Sequence, residues 1–194
     1  MNLEINDALI PGTKLKKSDM GNVTGLEFLS KVFYISEGVM LSQIREVSGI
    51  DGSTLQNWTK RGWVANARLK KYNIDQVAHI LIINMLRSCI QLDHIAFLLQ
   101  YINGKIDDTS DDIIRDSVLY DYICRILEAL TREDTASKAT IKAVIAEQIA
   151  DYEEVMPGAR DRLATALEII VTAYYAALIK KNSDEMLAHL MCSY

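Results

Sequence analysis

Residues 41–63 read Leu-Ser-Gln-Ile-Arg-Glu-Val-Ser-Gly-Ile-Asp-Gly-Ser-Thr-Leu-Gln-Asn-Trp-Thr-Lys-Arg-Gly-Trp, and they decide the reading of the fold. Leu41, Ile44 and Val47 recur at intervals of three, which puts them on one helical face. Gly49 follows as a C-terminal stop. Ser53-Thr54-Leu55-Gln56 has the form of a capping box, with a Ser N-cap and Gln three residues on. It opens a second helix over 54–61 that carries Leu55 and Trp58 inward and stops at Gly62. Two short amphipathic helices separated by Gly49-Ile50-Asp51-Gly52 are the layout of a helix-turn-helix.

Working toward the C-terminus, residues 62–72 lose the helical period and end on the basic-aromatic run Arg68-Leu-Lys70-Lys71-Tyr72. This predicts a small β wing, a hairpin beside the second helix. Asn73 or Asp75 then caps a helix that is apolar most of the way round, Val77 to Arg87, which belongs at the centre of a core. Leu92, Ile95, Leu98, Leu99 and Ile102 mark a further helix closed by Asn103-Gly104. Later helices are expected at about 114–130, 141–149 and 160–189, with Pro157-Gly158 as the clearest break. Toward the N-terminus, Leu26, Leu29, Val32 and Phe33 share a helical face. Residues 1–24, with Lys14, Lys16 and Lys17 near Pro11-Gly12, show little periodicity and read as an arm with partial order at best.

Composition agrees with a helical chain. Only two prolines and nine glycines punctuate 194 residues, too few for a many-turned β sandwich, and 49% hydrophobic content supports a core. The fold class expected is all-α (mainly helical): an N-terminal winged helix-turn-helix domain over 25–104, then a C-terminal helical bundle over 105–194 as effector or dimerisation region. Cys89, Cys124 and Cys192 are too few and too far apart for a disulfide framework, and are expected as inert buried thiols. No basic start followed by an apolar run opens the chain, and the longest apolar stretch, Val77–Met85, is too short to span a bilayer. The expected setting is cytoplasmic, without a membrane.

The net charge of −5 argues at first against nucleic acid. Its distribution reverses that inference. Residues 40–72 hold six basic side chains against two acidic ones, a local +4, whereas residues 105–194 hold ten against seventeen, a local −7. The helix-turn-helix is therefore the basic part of the chain, as phosphate binding requires.

Together these landmarks resemble the MerR-type winged helix-turn-helix. The resemblance rests on Leu41 to Ile50, Thr54 to Trp63, Lys70-Lys-Tyr72 and Asp75 to Arg87, and it implies DNA binding by a homodimer. Gln56-Asn57-Trp58 stands where MerR-type proteins carry a Tyr-Tyr pair, and Arg45 where they carry a small residue. Three helices follow in place of one long dimerisation helix. A closer resemblance, carried by Gln56 to Val64, Ile82 to Arg87, Tyr101 to Gly104 and Asp111-Asp112, is to the bacterial family known as domain of unknown function eighteen thirty-six, over most of 25–130.

The expected function is a transcriptional regulator on double-stranded DNA, with helix 54–61 in the major groove. Gln56 and Asn57 are the side chains able to pair bidentately with adenine. Lys60, Arg61, Arg68, Lys70 and Lys71 are placed to meet phosphates, and Thr54 either to meet a phosphate or only to cap. Two other readings stay open: a protein-interaction module on the same scaffold, and a small-molecule sensor whose pocket among the C-terminal helices uses Val171, Tyr174, Tyr175 and Leu178. No phosphate loop, nucleophile elbow or HExxH occurs, so neither catalysis nor a cofactor is expected. His79, His94 and His189 lack metal-ligand spacing. Asp107, Asp108, Asp111 and Asp112 read as a helix start, where carboxylates suit the macrodipole, ahead of a divalent-metal site.

Overall fold

A computed structural model describes residues 9–34, 38–106, 108, 110–133 and 137–193. Among these the chain is mostly helical. Helices α1 (Gly25–Val32), α2 (Leu41–Ser48), α3 (Gly52–Lys60), α4 (Ile74–Leu86), α5 (Leu92–Asn103), α6 (Asp116–Leu130), α7 (Lys138–Gln148) and α8 (Ala159–Cys192) are joined by a two-stranded sheet of β1 (Val39–Met40) and β2 (Lys71–Tyr72).

The centre is α4, as its nearly unbroken apolar sequence demands. Ile80, Leu81, Ile82 and Leu86 are fully buried. Helices α5, α6 and α8 pack on it, and α6 also packs on α1 and α7. One hydrophobic core therefore runs from Ile10 to Ala173 and includes side chains on both sides of Gly104. Asn84, the polar break near the C-terminal end of α4, has a structural reason. Its amide nitrogen donates to the Gly12 carbonyl at 2.8 Å and to the Ser48 carbonyl at 3.0 Å, so it ties the N-terminal segment and the end of α2 to the core helix.

The N-terminal segment differs from the expected loose arm. Met1–Ala8 lie outside the described residues, but from Leu9 on the chain is packed. Ile10 is fully buried, the Pro11 carbonyl accepts from the Tyr120 hydroxyl at 2.7 Å, and the Lys14 amide donates to the Val47 carbonyl. Gly12 allows this approach. Its φ is +75°, and a Cβ there would sit 2.2 Å from the Leu81 carbonyl oxygen. The signal was weak because a segment held by irregular hydrogen bonds has no period to detect.

Two helix starts also shift. The cap of α3 is Asp51, whose carboxylate accepts the Thr54 amide at 2.8 Å, in place of Ser53. An ionised Asp outcompetes a hydroxyl for the exposed amides of a first turn. Helix α6 starts at Asp116 and not at Asp111-Asp112, because Ile113 and Ile114 turn into the core first. Asp107 and Thr109 lie outside the described residues.

The 62–72 loop is not a hairpin with two strands of its own. Strand β2 pairs antiparallel with β1, which precedes α2, in the register Val39 with Tyr72 and Met40 with Lys71. Inside the loop the one pairing is a tight turn, in which Arg68 and Lys71 exchange both backbone hydrogen bonds at 2.9 Å. Leu69 and Lys70 have φ of +51° and +63°, the two-residue geometry that twists correctly for antiparallel strands.

The three helices expected after residue 104 are present as α6, α7 and α8, and α8 is much the longest. Its first half is core, with Leu163, Ala166, Leu167 and Ile170 fully buried, whereas every residue from Ile179 to Ser193 is exposed. Among the described residues α8 alone is long and apolar enough to cross a membrane. Its most apolar 18 residues reach a mean hydropathy of 1.5, and 28% of that stretch is buried.

Of the three cysteines, only Cys124 is the buried thiol expected; burial pushes its pKa up to about 12. Cys89 is exposed because it lies in the α4–α5 connection, and Cys192 because it lies on the free end of α8.

Candidate nucleic-acid interface

Helix α3 shows how its sequence divides inside from outside. Leu55 and Trp58, three apart, are buried, and Trp58 alone withdraws about 150–250 Å² from water. Gln56, Asn57 and Lys60 are exposed on the opposite face. Helix α2 packs against α3, and among the described residues no C-terminal helix makes a substantial contact with it. The turn before α3 is rigid. Gly49 closes α2 in the left-handed conformation, Ile50 is buried, and its amide donates to the Ser48 hydroxyl.

At the N-terminus of α3, Asp51 accepts hydroxyl hydrogen bonds from Ser53 at 2.5 Å and Thr54 at 2.6 Å. These contacts hold its carboxyl well below the usual carboxylate range. The Thr54 hydroxyl is thus engaged in the cap. The first turn carries a fixed negative charge, and the positive charges lie at the other end.

There, Lys60 and Arg61 are exposed, and the Arg61 guanidinium stacks 5.0 Å from the Trp63 ring centre. Arg68, Lys70 and Lys71 are exposed around the tight turn, with Leu69 at its tip 92% exposed. Tyr72 is buried and its phenol meets the Thr59 hydroxyl, so β2 is held against the last turn of α3. The last turn of α3, which carries Lys60, is thus tied to β2, which carries Lys71, through Thr59 and Tyr72.

Two cations that sequence reasoning left out of this group lie beside the first half of the motif. Arg45 runs past Gly52, its Cδ 3.7 Å from where a Cβ would be, and Lys14 lies against Gly49. Arg45 was legible as a helix-surface basic residue. Lys14 was not, since nothing local in the sequence reveals that the arm docks on this turn.

The loop is pinned from below by α4. The Gln76 side chain donates to the Asn66 carbonyl at 3.0 Å, and His79 Nε2 lies 3.0 Å from the Trp63 carbonyl. The other ring nitrogen, Nδ1, lies 2.9 Å from Asp116 Oδ2. Both partners accept, so both nitrogens must donate, and the imidazolium is the form that satisfies them. Burial opposes that charge, but the Asp116 carboxylate and the Trp63 carbonyl outweigh it and raise the pKa. Sequence gave His79 no role, because its partners come from residues 16 and 37 positions away.

His79 borders a cleft of about 1250 Å³ between the loop, α4, α5 and the start of α6. Asp75 also lines it, accepting from Arg115 at 3.1 Å and from the Ser117 amide at 3.0 Å. Asp112 is pushed up to about 6 by burial and then by the carboxylates around it, Asp116 first. The cleft thus gathers Asp75, Asp112 and Asp116, with Arg61, Lys105 and Arg115 also on its rim. Among the described residues no group of His, Cys, Asp and Glu is arranged to hold a metal ion.

Of the four residues considered for a sensor pocket, Val171 is core, whereas Tyr174, Tyr175 and Leu178 line a groove of about 560 Å³ between α8 and the N-terminal segment.

Comparison with known proteins gives two relationships. The family model described as Domain of unknown function (DUF1836) matches residues 24–123, from α1 into α6. The uncharacterized protein YkrK of Bacillus subtilis (strain 168) is 28% identical over 166 residues, covering 80% of this chain and 71% of its own. No solved structure matches. Since the matched stretch takes in the basic surface, the α4 core and the His79–Asp116 contact within more than half of the chain, the protein belongs to the family of domain of unknown function DUF1836.

Proposed function

We propose that this protein is a DNA-binding regulator in which α2, the Gly49–Asp51 turn and α3 act as a MerR-like helix-turn-helix, with the 68–71 turn as a reduced wing. The observation that carries this reading is the uncovered polar face of α3, Gln56, Asn57 and Lys60, on a helix whose last turn is held to β2 through Thr59 and Tyr72. In this reading Gln56 and Asn57 meet base edges in the major groove. Lys60, Arg61, Arg68, Lys70 and Lys71 meet phosphates, and Arg45 and Lys14 widen the positive surface on the side of α2 without a phosphate contact of their own. In this reading the local +4 of residues 40–72 lets a chain of net charge −5 bind a polyanion locally.

One observation favours a second reading, a protein-interaction module. Asp51 holds a negative charge at the N-terminus of α3, where a phosphate would otherwise be welcome. The test separates the two. The full chain is incubated with fragmented genomic DNA at low and at moderate salt, and the retained fragments are sequenced. The DNA reading expects retention that falls steeply with salt and an enriched motif. No retention at low salt overturns it.

A further inference from the structure

The free end of α8 has a symmetry that its sequence displays and its exposure makes consequential. From Ile179 to Ser193 every residue is exposed, so about four turns of helix stand clear of the core. A helix of that length gains little from its own hydrogen bonds in water. Yet it exposes Ile179, Met186, Leu187, Leu190 and Met191, at 49%, 66%, 56%, 60% and 71% of their surfaces.

Tyr175, Ile179, Met186 and Leu190 fall on one stripe at helical spacing, interrupted at the middle by Asn182-Ser183. About the midpoint between 182 and 183 the pattern inverts onto itself. Ile179 is level with Met186, Tyr175 with Leu190, and Lys180-Lys181 with Asp184-Glu185. Lys180 pairs with Asp184 at 2.6 Å on one flank of the stripe, and Lys181 with Glu185 at 3.7 Å on the other. Such a segment is complementary to an antiparallel copy of itself.

We propose that the free end of α8 is a dimer interface, and that its occupant is the same segment of a second copy of this chain, antiparallel about a two-fold axis at Asn182–Ser183. The apolar stripes then cover each other, and on each flank a lysine of one copy meets a carboxylate of the other. The four stripe side chains per copy, at about 60–120 Å² each, remove roughly 500–1,000 Å² in total, the size of a weak, transient interface. The pair is thus a reversible dimer. The charges also argue against a lipid surface as the occupant, since two lysines are matched by two carboxylates and leave no basic face for headgroups. The inference stands whether or not α3 binds DNA, although two readers on one two-fold axis suit a palindromic site.

Sedimentation equilibrium of the full chain tests it, with a concentration-dependent dimer expected. The double variant Ile179→Asp, Leu190→Asp should be monomeric while keeping the cooperative melting of the core, because both positions face solvent in the single copy. Lys180→Glu with Lys181→Glu, and separately Asp184→Lys with Glu185→Lys, should each be monomeric alone and form a heterodimer when mixed. In a background of Cys89→Ser and Cys192→Ser, the Ser183→Cys variant should cross-link under oxidation. Wild-type Cys192 should not pair with its symmetry mate, since the antiparallel register separates them by about 28 Å along the axis. A monomer at every concentration, Cys192 pairing, swapped variants that fail to pair when mixed, or flotation of the wild type with neutral or anionic phospholipid vesicles would each overturn the proposal.

Discussion

Replacing Lys60, Arg61 and Lys70 with Ala removes three of the five cations grouped at the end of α3 and the 68–71 turn. All three side chains are exposed and none carries the core, so the fold should survive. If each of the five cations neutralises one phosphate, log K should fall with log salt at a slope of about −4.5, and the triple variant should fall at about −1.8. Between about 50 and 200 mM salt, the wild type should lose affinity roughly 500-fold and the variant roughly 12-fold. Fluorescence anisotropy with a labelled duplex measures both slopes. A control pair, Gln56→Ala with Asn57→Ala, should leave the slope alone and flatten the preference between sequences. The reasoning is refuted if the triple variant keeps the wild-type slope, because the phosphates must then be met elsewhere.

Four further outcomes follow from individual contacts. His79 has a raised folded-state pKa, so its stabilisation is complete below its unfolded value of about 6.5 and is lost as pH rises through the folded value. The melting temperature should decline above that point, and His79→Gln should remove the decline; an unchanged profile would show that the imidazolium is not held. Asp112, raised to about 6, acts in the same direction over a lower window: stability falls as pH rises from the ordinary carboxylate value of 3.8 toward 6. Asp112→Asn should abolish that part of the profile and, after allowance for screening, raise neutral-pH stability by about 1 kcal/mol or less. Gly12→Ala forces a Cβ into the Leu81 carbonyl at positive φ and should cost about 2–3 kcal/mol, or roughly 5–10 °C in melting temperature. Tyr120→Phe strands the buried Pro11 carbonyl and should cost about 1–2 kcal/mol by chemical denaturation; a neutral result would mean that the N-terminal segment is not clamped there.

By itself the sequence determined the elements that rest on local chemistry. Leu41–Ser48 was legible to the residue, because its apolar period and Gly49 stop are both local. Asn73 was one of two caps read for α4, and Gly104 was read as the end of α5. The exposure of Gln56, Asn57 and Lys60 followed from the burial of Leu55 and Trp58 three residues apart. The local positive charge was likewise visible from counting alone.

Tertiary structure decided what depends on partners far along the chain. The pairing of β1 with β2 across α2 and α3 could not be read from two two-residue strands, which carry no period. Asn84 read as an interruption of an apolar run until the carbonyls of Gly12 and Ser48 were brought to it. His79 acquired a charge only when Trp63 and Asp116 supplied an acceptor to each ring nitrogen. The free end of α8 shares the helical pattern of the buried half, and only packing separates the apolar residues that are covered from those that are not. Periodicity records which side chains share a face; it does not record what lies opposite that face.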